Sequence, residues 1–433
     1  MEPFLSNFEP EPRITSQQWR SFLAAWGGWA LDGMDSFIYA LVMVPALREL
    51  LPLSGIPADT GHVGYYGGLL FALFLTGWGF ALMWGPVADK FGRVRTLMLT
   101  ILCFSLFTFL GAVSRTVWQL AGFRFLAGIG IGGEWAMGGT LVAEQWPEKQ
   151  RTTAAGLMHT GYYVGFFLAG LANYFVAARF GWRAMFGIGG LPAIAVSLIR
   201  YGVREPARWA RKAEATSHWS ILRPFTILFS HEYRRRTLLN AALVLISIIG
   251  LWAGSVYVPA AITEIATREG SRALQYTAWI SYATMLLAAA TILGCTILPY
   301  LAQRLGRRLT LGLYFACMGA SISVAFGYIL YMRGHTLAWF FVCLFFLGVG
   351  GANFAMYTLW LPEQYPTECR GSAFAFATSV GRFVGAGFTF LVGAGVAHFH
   401  SVGTPVSLTS LAFLVGVALL PFGIETKNKG LPE

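Results

Sequence analysis

Apolar runs of about 20 residues, each long enough to cross a bilayer as a helix, follow one another along this chain and are separated by short polar turns. They carry neither the alternation of a half-buried strand nor the charged face of a soluble amphipathic helix. The spacing predicts an all-α polytopic membrane protein. Its first spans lie near Trp19–Leu47, Gly64–Trp84 and onward to Val113, then through the run from Arg124, then Thr152–Ala178 and Arg183–Tyr201. Six more start near Thr237, Leu274, Leu309, His335, Gly371 and Gly403. The one long polar stretch falls between the sixth and seventh. The predicted organisation is an N-terminal segment 1–18, a six-helix bundle 19–201, a linker 202–236, a second six-helix bundle 237–424 and a tail 425–433.

The two bundles repeat each other. Trp135-Ala-Met returns as Phe354-Ala-Met, and Glu144-Gln-Trp-Pro-Glu-Lys-Gln-Arg151 returns as Glu363-Gln-Tyr-Pro-Thr-Glu-Cys-Arg370. Val44-Pro-Ala46 matches Val258-Pro-Ala260, and Lys90-Phe-Gly-Arg93 matches Arg304-Leu-Gly-Arg307. Four echoes in order mark a tandem repeat, a construction common to secondary transporters. The copies are not identical, because Gln303 stands where the first half has Asp89.

Composition narrows the class. The chain is 56% hydrophobic and 12% charged, against roughly 25% charged in soluble domains, so it cannot cover a water-facing surface. Its formal charge of +11 does not point to nucleic acid, because Lys and Arg crowd alternate loops. That is the positive-inside pattern, and it puts both termini in the cytoplasm. No cysteine falls in an outward loop, so no disulfide is expected. The acidic, proline-bearing opening lacks a separate apolar region, so a cleaved signal peptide is not expected. No metal-spaced His/Cys cluster, nucleophile elbow or phosphate-binding loop is present, which argues against an enzyme. The glycines of GIGIGGE lie within a membrane helix, where close packing accounts for them.

A few ionisable residues fall inside the apolar runs. Asp32 and Asp35 sit near the middle of the first span, one helical turn apart. A charge at that depth costs about 2.5–3.5 kcal/mol on insertion scales and marks a functional site by default. Two neighbouring carboxylates suit a group that loads and releases a proton; a permanently bonded structural pair is the alternative. Arg124 in the fourth span needs a partner, and the Asp32/Asp35 face is the obvious one. Glu134, further along that span, is a second titrating site, a substrate ligand or a helix bridge. Arg382, near the middle of the eleventh span, has no acid at matching depth on spans 7, 8, 10 or 11. It suits a carboxylate-bearing substrate, unless it reaches Glu363 or a first-span aspartate. Asn353, Tyr357, Trp360, His159, Tyr162 and Tyr163 are candidates to line the cavity around it. Ordinary packing is the bland reading of each.

The motifs then converge. GPVADKFGRVR, RFLAGIGIGGE, PEKQR, PTECRG and ETKNKG together resemble the loop, span-4 and tail signatures of the major facilitator superfamily over nearly the whole chain. LDGMD, GGEW and VAEQWP resemble its sialate:proton and aromatic-acid:proton symporters most. The resemblance implies twelve transmembrane helices in two pseudo-symmetric halves. It further implies a first-span aspartate in the position of Asp35 that takes the proton, and loop networks that latch the inward side. Asp89 with Arg93, Glu144 with Arg151 and Glu363 with Arg370 are the acid–base pairs expected there. The expected activity is proton-coupled uptake of a small organic anion, such as a monocarboxylate, sialic acid or aromatic acid, by a monomer in a bacterial inner membrane. The proton gradient is the driving force and no cofactor is expected. A proton-coupled sugar symporter, a proton-linked exporter and a non-transporting sensor are the other readings. Arg382 argues against the first, and the lack of a proline after Gly165 against the second.

Overall fold

The computed structural model describes residues 14–84, 87, 93–146, 148–194, 223–270, 273–366, 369–427 and 432. Side chains at 133–145, 151 and a few other positions lie outside the description. So do Asp89, most of the linker 202–236, and the side chains of Arg93, Glu134, Glu144 and Arg151.

The described residues are helical almost throughout. Helix α1 is Ser16–Leu53, α2 Thr60–Gly79, α3 Arg93–Gly111, α4 Val117–Gln145, α5 Glu148–Ala172 and α6 Ala178–Ile188. In the second half α7 is Arg234–Val256, α8 Ala273–Leu305, α9 Arg307–Gly327, α10 Thr336–Gly351, α11 Arg370–Phe399 and α12 Gly403–Leu408. Val258–Arg268 extends α7, Asn353–Trp360 extends α10 and Leu411–Leu419 extends α12. The fold is an all-α bundle of twelve helices in two halves, and the starts of the last six fall within a few residues of the expected ones.

Local chemistry sets the boundaries. Thr15 and Gln18 form a capping box at the start of α1, with Thr15 N–H donating to Gln18 Oε1 at 2.8 Å. The Asp59 carboxylate caps α2 by accepting from His62 N–H at 3.0 Å. Between α5 and α6 no polar loop intervenes. A π-helical turn over Asn173–Ala177 runs straight on, and the break comes at Gly181, with φ 76° and ψ −176°. Only glycine takes that conformation cheaply. Beyond it, Trp182 Nε1 donates to Glu49 of α1 at 2.7 Å and Arg183 bonds both Glu49 and the Ser114 carbonyl.

Two helix pairs join the halves: α2 runs along α11 and α5 along α8. Small residues make both seams close. A Cβ on Gly68 would lie 2.7 Å from Gly393 Cα, so these two backbones touch. The glycines of α5 face in two directions. Gly161 and Gly165 meet the backbone of α1 in their own half, whereas Gly156 and Gly170 meet Pro299, Ser281 and Met285 of α8 in the other. Asn173 Nδ2 donates to Ser281 Oγ at 2.9 Å across the same seam.

Gly165→Ala would press a methyl onto the Ala30 carbonyl, while Gly387 has no atom within 4 Å of its would-be Cβ. Overpacking costs about 1–3 kcal/mol, and removing a helical glycine gains up to about 1 kcal/mol. Thermal unfolding in detergent is therefore expected to fall for Gly165→Ala and to hold or rise for Gly387→Ala.

Candidate functional site

Midway along the bundle, α1 presents two buried carboxylates, Asp32 and Asp35, with 0% and 1% of their surface exposed. One turn apart, they serve different arginines. Asp35 Oδ2 lies 3.9 Å from Nη1 of Arg124 on α4, in the same half. Among the described residues no other carboxylate comes within 4 Å of that guanidinium. Aromatic faces complete its surroundings, with Phe74 at 4.2 Å and Tyr39 at 5.6 Å from ring centroid to Cζ. A guanidinium buried to 1% exposure gains from these rings what water would otherwise supply. At 3.9 Å the pair is electrostatic and not hydrogen-bonded, so Asp35 can change its charge without breaking a directed bond.

The charge of Asp32 acts on Arg382 of α11, in the other half. The Arg382 guanidinium lies 4.2 Å over the Trp78 ring of α2 and is 4% exposed. The acid that sequence position could not find on spans 7, 8, 10 or 11 thus comes from the first helix of the opposite half.

Arg382 lines a cavity between the halves with Trp29, Trp78, His159, Tyr162, Tyr163 and Trp252. Its free space is about 20 Å³, which is room for a water molecule and no more. Anything larger would fit only if the halves parted. The aromatic walls pack on one another, with Trp29–Tyr162 centroids 4.8 Å apart and His159 parallel to Phe354 at 6.4 Å.

Of the residues expected to line the site, His159, Tyr162, Tyr163 and Arg382 meet there. Three do not. Tyr357 donates to the Leu243 carbonyl at 2.7 Å and shares a hydrogen bond with Ser247 at 2.8 Å, within the second half. Asn353 donates to Gly350 O at 2.8 Å, and Trp360 Nε1 reaches Ile424 O at 2.9 Å near the tail. They sit on the extension of α10, and that helix turns them into its own half. Trp29, Trp78, Trp252 and Phe354 were missed. An aromatic residue in an apolar run faces lipid, core or cavity with equal ease, so spacing carries no signal for them.

The expected pairing of Glu363 with Arg370 is corrected. Glu363 takes a bidentate contact from Arg307, at 2.9 and 2.6 Å, and a hydrogen bond from Thr426. Arg370 instead donates to the carbonyls of Pro362, Tyr365 and Pro432. The fork geometry of a guanidinium explains the choice, because Arg307 meets both carboxylate oxygens in plane. The repeat held the signal: Arg307 and Glu363 match Arg93 and Glu144 of the first half. Beside them Glu425 accepts from the backbone N–H of Arg307, Arg308, Thr426 and Lys427. Burial pushes its pKa up, and these four donors outweigh it and hold the carboxyl below the usual range. Its contribution is full above the ordinary glutamate pKa of about 4.3 and is lost as pH falls through its lower folded value.

A sequence profile of the Major Facilitator Superfamily matches residues 25–390. The chain is 31% identical over 427 residues to a probable 4-methylmuconolactone transporter of Cupriavidus pinatubonensis, covering 96% of this chain and 93% of that one. It is 29% identical over 439 residues to the niacin transporter NiaP of Acinetobacter baylyi, covering 93% of each. Among solved structures it superposes on the proton:xylose symporter XylE with a TM-score of 0.72 at 19% identity, over 97% of this chain and 98% of that one. At that identity the likeness is one of fold.

Asp35→Asn would leave Arg124 as an uncompensated buried charge, which typically costs 3–5 kcal/mol. Thermal unfolding of the purified protein is expected to drop sharply for Asp35→Asn, and the double variant Asp35→Asn/Arg124→Gln to recover much of the loss. With Arg124→Gln measured alongside, a double loss equal to the sum of the two single losses would mean that the pair carries no coupling.

Proposed function

The chain belongs to the major facilitator superfamily, and on that premise we propose that this membrane transporter imports a small organic anion together with protons. The observation that carries the reading is the placement of Arg382. It is a buried guanidinium that lines the cavity between the halves, stacked on Trp78. A site of that kind recognises a carboxylate by charge and fork geometry and gives a neutral sugar little reason to bind. The relatives named for 4-methylmuconolactone and niacin support an organic acid, niacin being a ring carboxylate.

Proton coupling is assigned to the first half. Asp35 faces Arg124, Asp32 stands one turn away, and the repeat places Ile246 and Ile249 at the matching positions of the second half. Protonating Asp35 releases Arg124 from its counter-charge and changes how α1 and α4 hold each other. Glu134 is retained as a further proton or substrate ligand on α4. With the basic loops inside, the termini, Glu363, Arg307 and the tail face the cytoplasm of a bacterial inner membrane. The Arg307–Glu363–Thr426 cluster then latches the inner ends of α9, α10 and the tail, and Asp89, Arg93, Glu144 and Arg151 are assigned the matching gate in the first half. The working unit is a monomer.

The test is uptake into proteoliposomes of labelled benzoate, lactate, sialic acid and glucose, with and without an inward proton gradient. Gradient-driven uptake of an acid is expected, lost in Arg382→Ala and partly kept in Arg382→Lys. Glucose uptake indifferent to Arg382 would overturn the anion reading. Asp35→Asn is expected to abolish gradient-driven accumulation while substrate exchange persists; accumulation that survives it would remove Asp35 from the proton path.

A further inference from the structure

Beyond the Arg382 cavity lies a second one, and the side chains of Tyr163 and Leu251 line both. Its free space is about 10 Å³. The far wall comes from both halves: Phe166 on α5, Ser255 on α7, Thr291 on α8 and Gly351 on α10. No Lys, Arg or His is among its lining residues, whereas Arg382 and His159 line the first cavity.

The polar atoms of this second cavity share one character. Ser255 Oγ–H donates to Leu251 O, one turn back on its own helix. Thr291 Oγ1–H donates to Leu287 O at 2.8 Å in the same way. A hydroxyl has one proton to give and two lone pairs, so both oxygens are left with acceptor capacity alone. The Gly351 carbonyl accepts the Tyr163 hydroxyl at 3.2 Å and has a second lone pair. A carboxylate brought here would meet acceptor oxygens and no cation in an apolar enclosure, where an unpaired charge is heavily penalised. A hydroxyl or N–H would find partners. The two cavities are thus chemically polarised, cationic at one end and accepting at the other.

We propose that the second cavity is the distal subsite of the transported acid and that Ser255 and Thr291 set its specificity. Arg382 takes the one carboxylate, the body of the substrate passes Tyr163, and a hydroxyl at its far end donates to Ser255 or Thr291. The chain therefore selects monocarboxylates, favours those with a distal hydrogen-bond donor and rejects dicarboxylates. The two voids together are smaller than an aromatic acid, so the substrate occupies them as the halves part along the Tyr163–Gly351 contact. This rests on the organic-anion reading and adds the substrate's second end to it.

Competition for labelled benzoate exchange in proteoliposomes of the full chain decides it, with unlabelled benzoate, 4-hydroxybenzoate and benzene-1,4-dicarboxylate as competitors. 4-Hydroxybenzoate is expected to compete about threefold to tenfold better than benzoate, the span of one net hydrogen bond, and the dicarboxylate hardly at all. In Ser255→Ala/Thr291→Val the ratio of the two monocarboxylates is expected to collapse towards one, and Thr291→Ser, which keeps the hydroxyl, to retain it. Because the readout is a ratio within one protein, loss of folded protein does not mimic the result. A dicarboxylate that competes as well as benzoate, or a ratio unmoved by the double variant, overturns the distal subsite while the anion reading stands. Benzoate exchange indifferent to Arg382 would overturn the anion reading itself, and the subsite with it.

Discussion

A guanidinium buried in the middle of a membrane bundle must find negative charge, and this protein has two of them. Arg124 and Arg382 are each almost fully buried, and an arginine does not escape by losing its proton. Both obligations fall on one turn of α1. Asp35 answers Arg124 within the first half, and Asp32 extends its field to Arg382 in the second. One of these interactions is internal to the first half. The other depends on how the halves stand relative to one another, so any movement that opens the central cavity changes it.

Movement of the halves needs surfaces that slide or separate without leaving polar backbone exposed to lipid. The two seams, α2 on α11 and α5 on α8, are built from small residues, and directed bonds across them are few. Asn173 to Ser281 crosses the α5–α8 seam, and Tyr163 to Gly351 joins α5 to the end of α10. Helix α5 touches both halves through its glycines, Gly161 and Gly165 on α1 and Gly156 and Gly170 on α8. The firmer bonding lies at the tail end, where Arg307, Glu363, Thr426 and Glu425 tie α9, α10 and the tail into one cluster. A bidentate ion pair at the end of the bundle and looser contacts at its centre suit the rocking of two halves proposed above.

The repeat did more than mark two halves. It carried Arg93 onto Arg307 and Glu144 onto Glu363, and the structure joins Arg307 to Glu363. Local spacing had paired Glu363 with Arg370 instead, because the two share a turn. Proximity in sequence overstated that contact, since the backbone of the turn lets Arg370 satisfy itself on carbonyl groups.

Helix number, the two halves, the family and the depth of Asp32, Asp35, Arg124 and Arg382 were determined by the sequence alone. Each follows from a constraint that acts locally: an apolar run must be long enough to span a bilayer, and a charge within it stands out. Rotation about each helix axis was decided by the tertiary structure. It turned His159, Tyr162 and Tyr163 towards Arg382 and turned Tyr357, Asn353 and Trp360 away. It also set Asp35 beside Arg124 and brought Trp78 beneath Arg382. In an apolar helix nearly every face is equally hydrophobic, so no periodic signal says which one meets the partner. Only the close approach of backbones at the glycines, and the pairing of buried charges, fixes that angle.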